Sequence, residues 1–438
     1  MKKTVFAALA ALLVAGNAFA QEQEETPAKF KLYGFIRNFT VLDTREVNGG
    51  THDLYFYMPK DRSLNAEGID LNEGLNWKSI SLTTRIGLDV SGYQIGAMKI
   101  GGKVEADFYS LNGTGTANTI AQFRLRQAFM GLSWGLGEGS SLLLNIGQTW
   151  HPMAADMPHV TNLETGAPFN PFNRSPQIMA HYTVGGFTLT GGLLYLSQYL
   201  PMDAQAGAKS VAPYKYGFPE AYLGIAYKGG PFLVKAGVDL INTKPIRTVS
   251  ALDADGKVTQ GANGKPNTWK ANGILTALSP YVFVQYTSGK FQLRAKSILA
   301  QSAEHMNLLS GYGIASYTEA SRTYSYTPMQ DWASFVSVQY GKKVQVMAMA
   351  GYMKQLGTTK DLPDPSKIWI NTAADTKIQQ AFRVTPTLAW NIGKFTLSLE
   401  YDFTYAQYGE GARNARGLYS QYHWLGNHRV INMVKFNF

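Results

Sequence analysis

The sequence predicts an all-β protein, a transmembrane antiparallel β-barrel of about sixteen strands. Three observations predict it: long stretches that alternate apolar with polar residues, short glycine turns flanked by aromatic residues, and an N-terminal segment typical of secreted proteins. The 438 residues include no cysteine, which excludes disulfide scaffolds and thiolate metal sites. A net charge of +10 is modest for this length and does not indicate nucleic acid as a partner.

The first residues predict export. Lys2 and Lys3 precede an apolar stretch over residues 5–15, and small residues stand at Ala18 and Ala20, where a signal peptidase cuts. We expect a signal peptide over residues 1–20 and a short N-terminal segment over 21–28. The 40 basic residues less Lys2 and Lys3, against 30 acidic ones, leave the mature chain at +8. No later apolar run reaches the ~20 residues that a spanning helix needs.

The strand prediction comes from alternation. Residues 79–90 and 98–108 alternate apolar and polar side chains over ten or more positions, which is the period of a strand. Ordinary strands average five to six residues, whereas tilted membrane strands need about 9–11. The same rule predicts sixteen strands along the chain, at 29–41, 77–91, 98–110, 121–134, 141–150, 175–185, 187–199, 218–228, 231–242, 274–287, 291–302, 331–340, 343–354, 378–391, 395–408 and 427–438.

A repeated junction supports the barrel. An aromatic residue ends one strand, a tight turn follows, and an apolar residue opens the next strand, as in Tyr182 to Phe187 and Trp390 to Phe395. Outward aromatics on both sides of every short turn predict the aromatic girdle of an outer-membrane barrel. A soluble propeller is the alternative, since its blades repeat at about 40–50 residues. A blade has four strands, however, whereas each repeat here has two long ones.

The lengths of the connections predict on which side of the membrane each of them lies. Seven short periplasmic turns alternate with eight longer extracellular loops, notably 42–76, 151–174, 243–273, 303–330 and 355–377. The chain ends on alternating residues with a terminal Phe438, which resembles the sorting signal of outer-membrane barrels. We therefore expect one β-barrel domain over residues 29–438.

The charged face of the strands predicts a water-filled interior. Arg and Lys cannot face lipid without a cost of about 2–4 kcal/mol at the midplane, so the charged parity points inward. That parity holds thirteen basic and seven acidic residues, which favours anions. The alternative is that these charges pair and only brace the wall. The predicted pore-lining residues are Arg37, Arg85, Lys103, Glu105, Asp107, Arg124, Arg126, Arg294, Lys296 and Arg383.

Two of these arginines carry the sharpest expectation. Arg124 and Arg126 lie two apart on one strand, so both point to the lumen, where unpaired guanidiniums would concentrate anions. The alternative is an ion pair with Glu105 or Asp107 on the adjacent strand, which would cancel that field.

Segment 151–174 predicts a constriction loop. It contains four prolines, several apolar residues and few charges, and a loop of this composition favours burial. We expect it to fold into the barrel; the alternative is a loop packed on a neighbouring subunit. His151 and His159 share the loop without a third convergent ligand, so neither a metal nor a cofactor is predicted. The candidate constriction residues are His151, Asp156, His159, Glu164 and Arg174.

A family resemblance follows from two stretches. Arg124-Leu-Arg126-Gln-Ala-Phe129 followed by Asn145-Ile-Gly147-Gln148-Thr149-Trp150 resembles the trimeric porins of the dicarboxylate-specific, DcaP-like kind, and Lys31-Leu-Tyr-Gly34 is similar to the opening of many porins. The resemblance implies a sixteen-stranded trimer that passes small anionic solutes, with Arg124 and Arg126 on the pore wall. The chain departs from it in its loops and in having no N-terminal coiled-coil segment.

The sequence thus predicts an outer-membrane porin of a Gram-negative bacterium, a channel for passive diffusion of small hydrophilic, anionic solutes, and not an enzyme. Its expected partners are membrane lipid, lipopolysaccharide and two further copies of itself. No hydrolase, zinc-protease or nucleotide-binding motif occurs in its required context. The alternatives are a surface adhesin that uses the long loops and a barrel hydrolase.

Overall fold

The computed structural model describes residues 27–109, 121–162, 166–371 and 377–438, and these form a closed barrel of sixteen antiparallel strands. The first strand pairs with the last, from Phe35 opposite Asn437 to Asp43 opposite Arg429. Among the described residues, closure leaves the barrel no unpaired sheet edge, as hydrocarbon requires. The predicted signal peptide lies outside the described residues.

We number the barrel strands β1 to β16. The second strand has two parts, Glu73–Ile80 and Arg85–Ile95, and both pair with β1. The strands are β1 Lys29–Arg45, β2 as just given, β3 Met98–Tyr109, β4 Gln122–Gly137, β5 Ser140–Trp150, β6 Arg174–Val184, β7 Phe187–Leu194, β8 Phe218–Gly229, β9 Phe232–Thr243, β10 Leu275–Ser288, β11 Phe291–Gln301, β12 Thr323–Gly341, β13 Val344–Thr358, β14 Ile378–Ile392, β15 Phe395–Arg413 and β16 Tyr419–Asn437.

The predicted barrel, its strand order and its alternation of short turns with longer connections are confirmed. The strands run farther toward the long-loop side than the alternation predicts. β15 extends to Arg413 and β16 begins at Tyr419, so the connection between them is only residues 414–418. Local alternation marks the part of a strand that faces lipid, but hydrogen bonding continues beyond it.

Smaller elements lie in the long connections. No helix among the described residues is long and apolar enough to cross a membrane. The short strands are Val47–Gly50, Tyr55–Pro59, Met202–Asp203, Ala208–Lys209, Thr248–Ser250, Thr268–Lys270, Gly311–Thr318 and Ile368–Ile370, with a helix at Ala212–Lys215 and a 3₁₀ turn at Glu304–Met306.

The aromatic ring predicted at the short turns is present. Phe187 contacts Tyr227 with ring centroids 4.8 Å apart, and Phe232 contacts Tyr286 at 5.1 Å. At the turn-side rim, Phe187, Tyr227 and Phe232 are exposed, and Tyr286 is half-buried. They mark one membrane interface, where amphipathic rings are favoured.

One strand differs from its predicted alternation. Alternation placed Ile80 and Leu82 on the lipid face, but both are buried inside the barrel, whereas Ser79 and Ser81 point outward. The two parts of β2 are separated by residues 81–84, with Thr83 at a φ of 67°. This break inverts the parity, because an irregular residue shifts every later side chain to the opposite face. The Thr83 hydroxyl accepts a 2.8 Å hydrogen bond from Arg37 Nε.

The extracellular half of the barrel is filled by its own loops. Tyr57, from the connection between β1 and β2, and Phe169 and Leu308, from two later connections, share one apolar cluster with inward side chains of β8 to β15. The predicted loops 42–76 and 303–330 therefore do not lie wholly outside, because parts of each enter the barrel. Burial of their aromatic and aliphatic side chains favours this inward path.

Candidate functional site

The described part of the connection between β5 and β6, residues 151–162 and 166–173, runs along the inner wall and is called the inner loop below. His159 N donates to Ser337 Oγ on β12 at 3.1 Å, and Thr161 N donates to Glu400 Oε2 on β15 at 2.5 Å. Met153, Ala154 and Phe169 are fully buried. The loop thus reaches across more than half of the strands of the barrel.

Basic side chains of the wall hold the inner loop. Lys235 Nζ lies 2.9 Å from both carboxylate oxygens of Asp156. Arg294 Nη1 donates to Met157 O at 2.8 Å, and Lys296 Nζ donates to Met153 O at 2.7 Å. Three of the basic side chains that the sequence assigned to the lumen therefore bind the inner loop, two of them through its backbone carbonyls.

Arg383 on β14 joins two loops. Its Nη1 donates to Ala167 O in the inner loop at 2.9 Å. Its Nη2 donates to Phe56 O at 3.2 Å and to Tyr57 O at 3.1 Å, both in the connection between β1 and β2. The guanidinium is fully buried and lies 4.3 Å from the centroid of the Phe56 ring. Arg383 lies on the inner face as predicted, but it contacts loops instead of water.

A glycine on β13 makes room for the inner loop. A Cβ at Gly351 would overlap the ring of Phe169. Gly351 faces inward and is buried, whereas its neighbour Ala350 faces lipid and is exposed. The bare backbone lets the aromatic ring lie directly on the wall.

Arg124 and Arg126 point inward from β4 and are both paired. Arg124 binds Asp107 through Nε at 2.9 Å and Nη2 at 3.1 Å. Arg126 donates to Glu105 Oε1 at 2.9 Å and to Asp107 Oδ2 at 2.6 Å. The expectation of unpaired guanidiniums is wrong, and the alternative of ion pairs with the neighbouring strand is what the structure has.

The two arginines differ in exposure. The side chain of Arg124 is 21% exposed, whereas that of Arg126 is 1% exposed. Arg85 adds a third positive charge, with Nη1 3.5 Å from Glu105 Oε1. Three guanidiniums against two carboxylates leave this network with one net positive charge, and Arg124 is the member that solvent reaches most.

The other predicted pore-lining residues also lie on the inner face. Arg37 is buried against Thr83, and Lys103 Nζ lies 2.7 Å from Asp89 Oδ1. Three further inward lysines on the turn side, Lys31, Lys99 and Lys228, are exposed and form no ion pair with any residue that the structure describes. Lys228 and Lys235 line a cavity of about 520 Å³ below the inner loop, together with Gln177 and His181.

The predicted constriction residues have different surroundings. Asp156 holds Lys235, and Arg174 is buried with its guanidinium 4.7 Å from the centroid of the Trp150 ring. His159 is buried; burial and the nearby Arg294 guanidinium lower its pKa to about 4, so the ring is neutral at pH 7. Glu164 lies outside the described residues.

His151 belongs to a cluster with three residues that sequence reasoning did not connect to it. They are Glu220 on β8, Asp239 on β9 and His305 in the 3₁₀ turn between β11 and β12. Both acids lie on the inward-facing, charged side of their strands, and this was the only feature of the sequence that could have pointed to them. Their convergence depends on how two loops fold into the barrel.

The chain is similar in structure to solved outer-membrane channels. It matches the outer membrane channel DcaP of Acinetobacter baumannii with a TM-score of 0.59 and 16% identity, over 94% of this chain and 97% of that one. An anion-selective porin from Comamonas acidovorans matches with a TM-score of 0.49 and 11% identity, over 94% and 100% of the two chains. No protein-family model and no curated protein matches the sequence. The first match shows that the two chains share a fold.

Proposed function

We propose that this chain is an outer-membrane porin of a Gram-negative bacterium, which lets small hydrophilic solutes diffuse passively. One observation carries the proposal: a closed sixteen-stranded barrel has charged inner walls, and an extracellular loop lies inside it against those walls. A barrel of sixteen strands is wide enough to enclose water. The shared fold with a protein named as an outer membrane channel supports the same function.

An anion preference is part of the proposal. Many inward charges are neutralised, but Lys31, Lys99 and Lys228 remain exposed on the inner face near the turns. The Arg85, Arg124 and Arg126 network adds one net positive charge higher up. Positive charge along a water-filled path raises the local concentration of anions and lowers that of cations.

Planar-bilayer recording tests the channel. The purified mature chain should give discrete conductance steps, and a KCl gradient should give a reversal potential on the anion-selective side. Replacing Lys31, Lys99 and Lys228 together by Gln should move that potential toward cations. The same preparation unfolded by boiling serves as the control. A folded barrel that conducts no ions would contradict the proposal and favour the adhesin or the hydrolase.

We also propose that the chain assembles as a homotrimer. On the outer wall, Thr40 of β1 lies opposite Asn432 of β16 and Ser79 of β2. Asn38 donates to the hydroxyls of Ser79 and Ser81 at 3.2 and 3.0 Å. This outer polar stripe (Asn38, Thr40, Ser79, Ser81 and Asn432) interrupts an otherwise apolar face, between exposed Ile36 and Trp77. Polar side chains are poorly solvated by lipid, so contact with another copy would satisfy them.

A further inference from the structure

Four metal-ligating side chains meet near the extracellular end of β8 and β9. His151 opens the inner loop, Glu220 and Asp239 lie on β8 and β9, and His305 lies in the 3₁₀ turn after β11. The four side chains are between 0% and 1% exposed. They come from four separate parts of the chain, so their meeting is a product of the tertiary fold.

The ligand atoms lie at distances that suit one shared cation. His151 Nε2 lies 2.8 Å from Glu220 Oε1 and 3.5 Å from Asp239 Oδ1. His305 Nε2 lies 3.4 Å from Glu220 Oε1 and 3.8 Å from Asp239 Oδ2. Four ligands at ~2.1 Å from a tetrahedral zinc ion are roughly 3.4 Å from one another. Ligand atoms of His151, Glu220 and Asp239 all lie within 4.8 Å of one another. His305 Nε2 lies within 3.8 Å of an oxygen of each carboxylate and would complete the set.

The cluster has charge and bonding capacity that its neighbours do not use. Both oxygens of Asp239, Oε2 of Glu220 and both ring nitrogens of His305 are buried and accept or donate no hydrogen bond among the described residues. In the same part of the chain, neither carboxylate forms an ion pair with a lysine or an arginine. Two buried carboxylates whose nearest basic groups are the two histidines are costly unless positive charge, from a metal ion or from protons, is added among them.

We propose that His151, Glu220, Asp239 and His305 bind a divalent first-row transition cation of the zinc type. Two imidazoles and two carboxylates form a donor set that such ions accept, whereas Mg²⁺ and Ca²⁺ prefer oxygen ligands alone. The cation would join the inner loop and the turn at Glu304–Met306 to two strands of the wall. It would thereby fix both loops inside the barrel, whichever solute passes.

The alternative is that protons neutralise the cluster. Burial alone would lower the pKa of His151, but the nearby Asp239 and Glu220 carboxylates raise it to about 9. Met153 N donates a hydrogen bond to Nδ1 of His151 at 3.1 Å, which places the hydrogen of a neutral ring on Nε2, 2.8 Å from Glu220 Oε1. A cation on Nε2 and a doubly protonated ring both place a hydrogen on Nδ1, so either requires the Met153 amide to turn away.

Metal content tests the proposal directly. The mature chain, refolded in detergent with and without zinc and then dialysed, should retain one equivalent per chain only when zinc was present. Cobalt(II) supplied in place of zinc should absorb visible light more strongly than cobalt(II) in water does, as expected when four protein ligands bind it. Refolded barrels that retain no zinc and give no such cobalt spectrum would overturn the proposal in favour of the protonated cluster.

Variants separate this site from adventitious binding. Asp239→Asn and His305→Gln should each abolish retention at the zinc concentration that saturates the parent protein. His159→Gln removes another buried histidine of the inner loop and should keep the full equivalent. Heat-dependent gel migration checks that each variant is folded. Equal retention by all four proteins would place the metal elsewhere and contradict the assignment. Because metal content is measured without conductance, this result is independent of the channel proposal.

Discussion

At the scale of single residues, the Arg124 and Arg126 pair shows how neighbouring side chains on one strand take different roles. Both face inward and both bind Asp107, but only Arg124 keeps a substantial part of its side chain exposed. A charge that water reaches affects passing ions, whereas a charge enclosed by its partners mainly affects stability.

We therefore expect Arg124→Gln to shift the reversal potential in a KCl gradient toward cations, with little change in stability. Arg126→Gln should instead lower the free energy of unfolding by about 3–5 kcal/mol, because Glu105 and Asp107 lose a buried partner. Urea unfolding and bilayer recording of the two variants measure the contrast. An equal shift of reversal potential in both would show that the two arginines face the same water.

At the scale of elements, the inner loop depends on the wall that it covers. Its polar anchors come from β9, β11, β12, β14 and β15, and its Phe169 ring lies over Gly351 on β13. A loop held at so many points has one position in the barrel, and we expect that position to set the free cross-section.

Gly351→Val should push Phe169 and the inner loop away from β13 and toward the opposite wall. The path narrows, so single-channel conductance should fall. Ala350→Val adds the same side chain one residue away on the lipid face and should leave conductance unchanged. A conductance of Gly351→Val equal to that of the parent would mean that the inner loop does not limit the path.

At the scale of the whole molecule, the outer surface carries information about assembly. Most of the barrel presents apolar side chains, and the polar stripe at the junction of β16, β1 and β2 is the departure described above. The stripe exists because the break at residues 81–84 turns Ser79 and Ser81 outward.

Ser79→Trp should separate the oligomer into folded single barrels, because a bulky ring in the stripe prevents close contact between copies. Val282→Trp, on the lipid face of β10 and roughly opposite in the barrel, should leave assembly unchanged. Light scattering in detergent gives the mass of each species. If Ser79→Trp keeps the mass of the parent assembly, the stripe is not the interface.

The sequence by itself determined the barrel, its number of strands and its aromatic ring, because each depends on local properties. Side chains of a strand alternate at a period of two, and a hairpin joins neighbours in the chain, so residues such as Tyr182 and Phe187 reveal their positions without knowledge of the rest. The inward parity of Arg126 and Glu105 was likewise readable, although their pairing was left as an alternative.

Only the tertiary structure decided what the interior contains. The change in which side chains of β2 face inward depends on one irregular residue, Thr83, and the alternation of the sequence does not reveal it. The paths of the loops depend on contacts between distant residues, such as Arg383 with Tyr57. The meeting of His151 with Glu220, Asp239 and His305 joins two loops and two strands. Alternation is a property of each strand alone, whereas these features arise when the closed barrel brings remote segments into one enclosed volume.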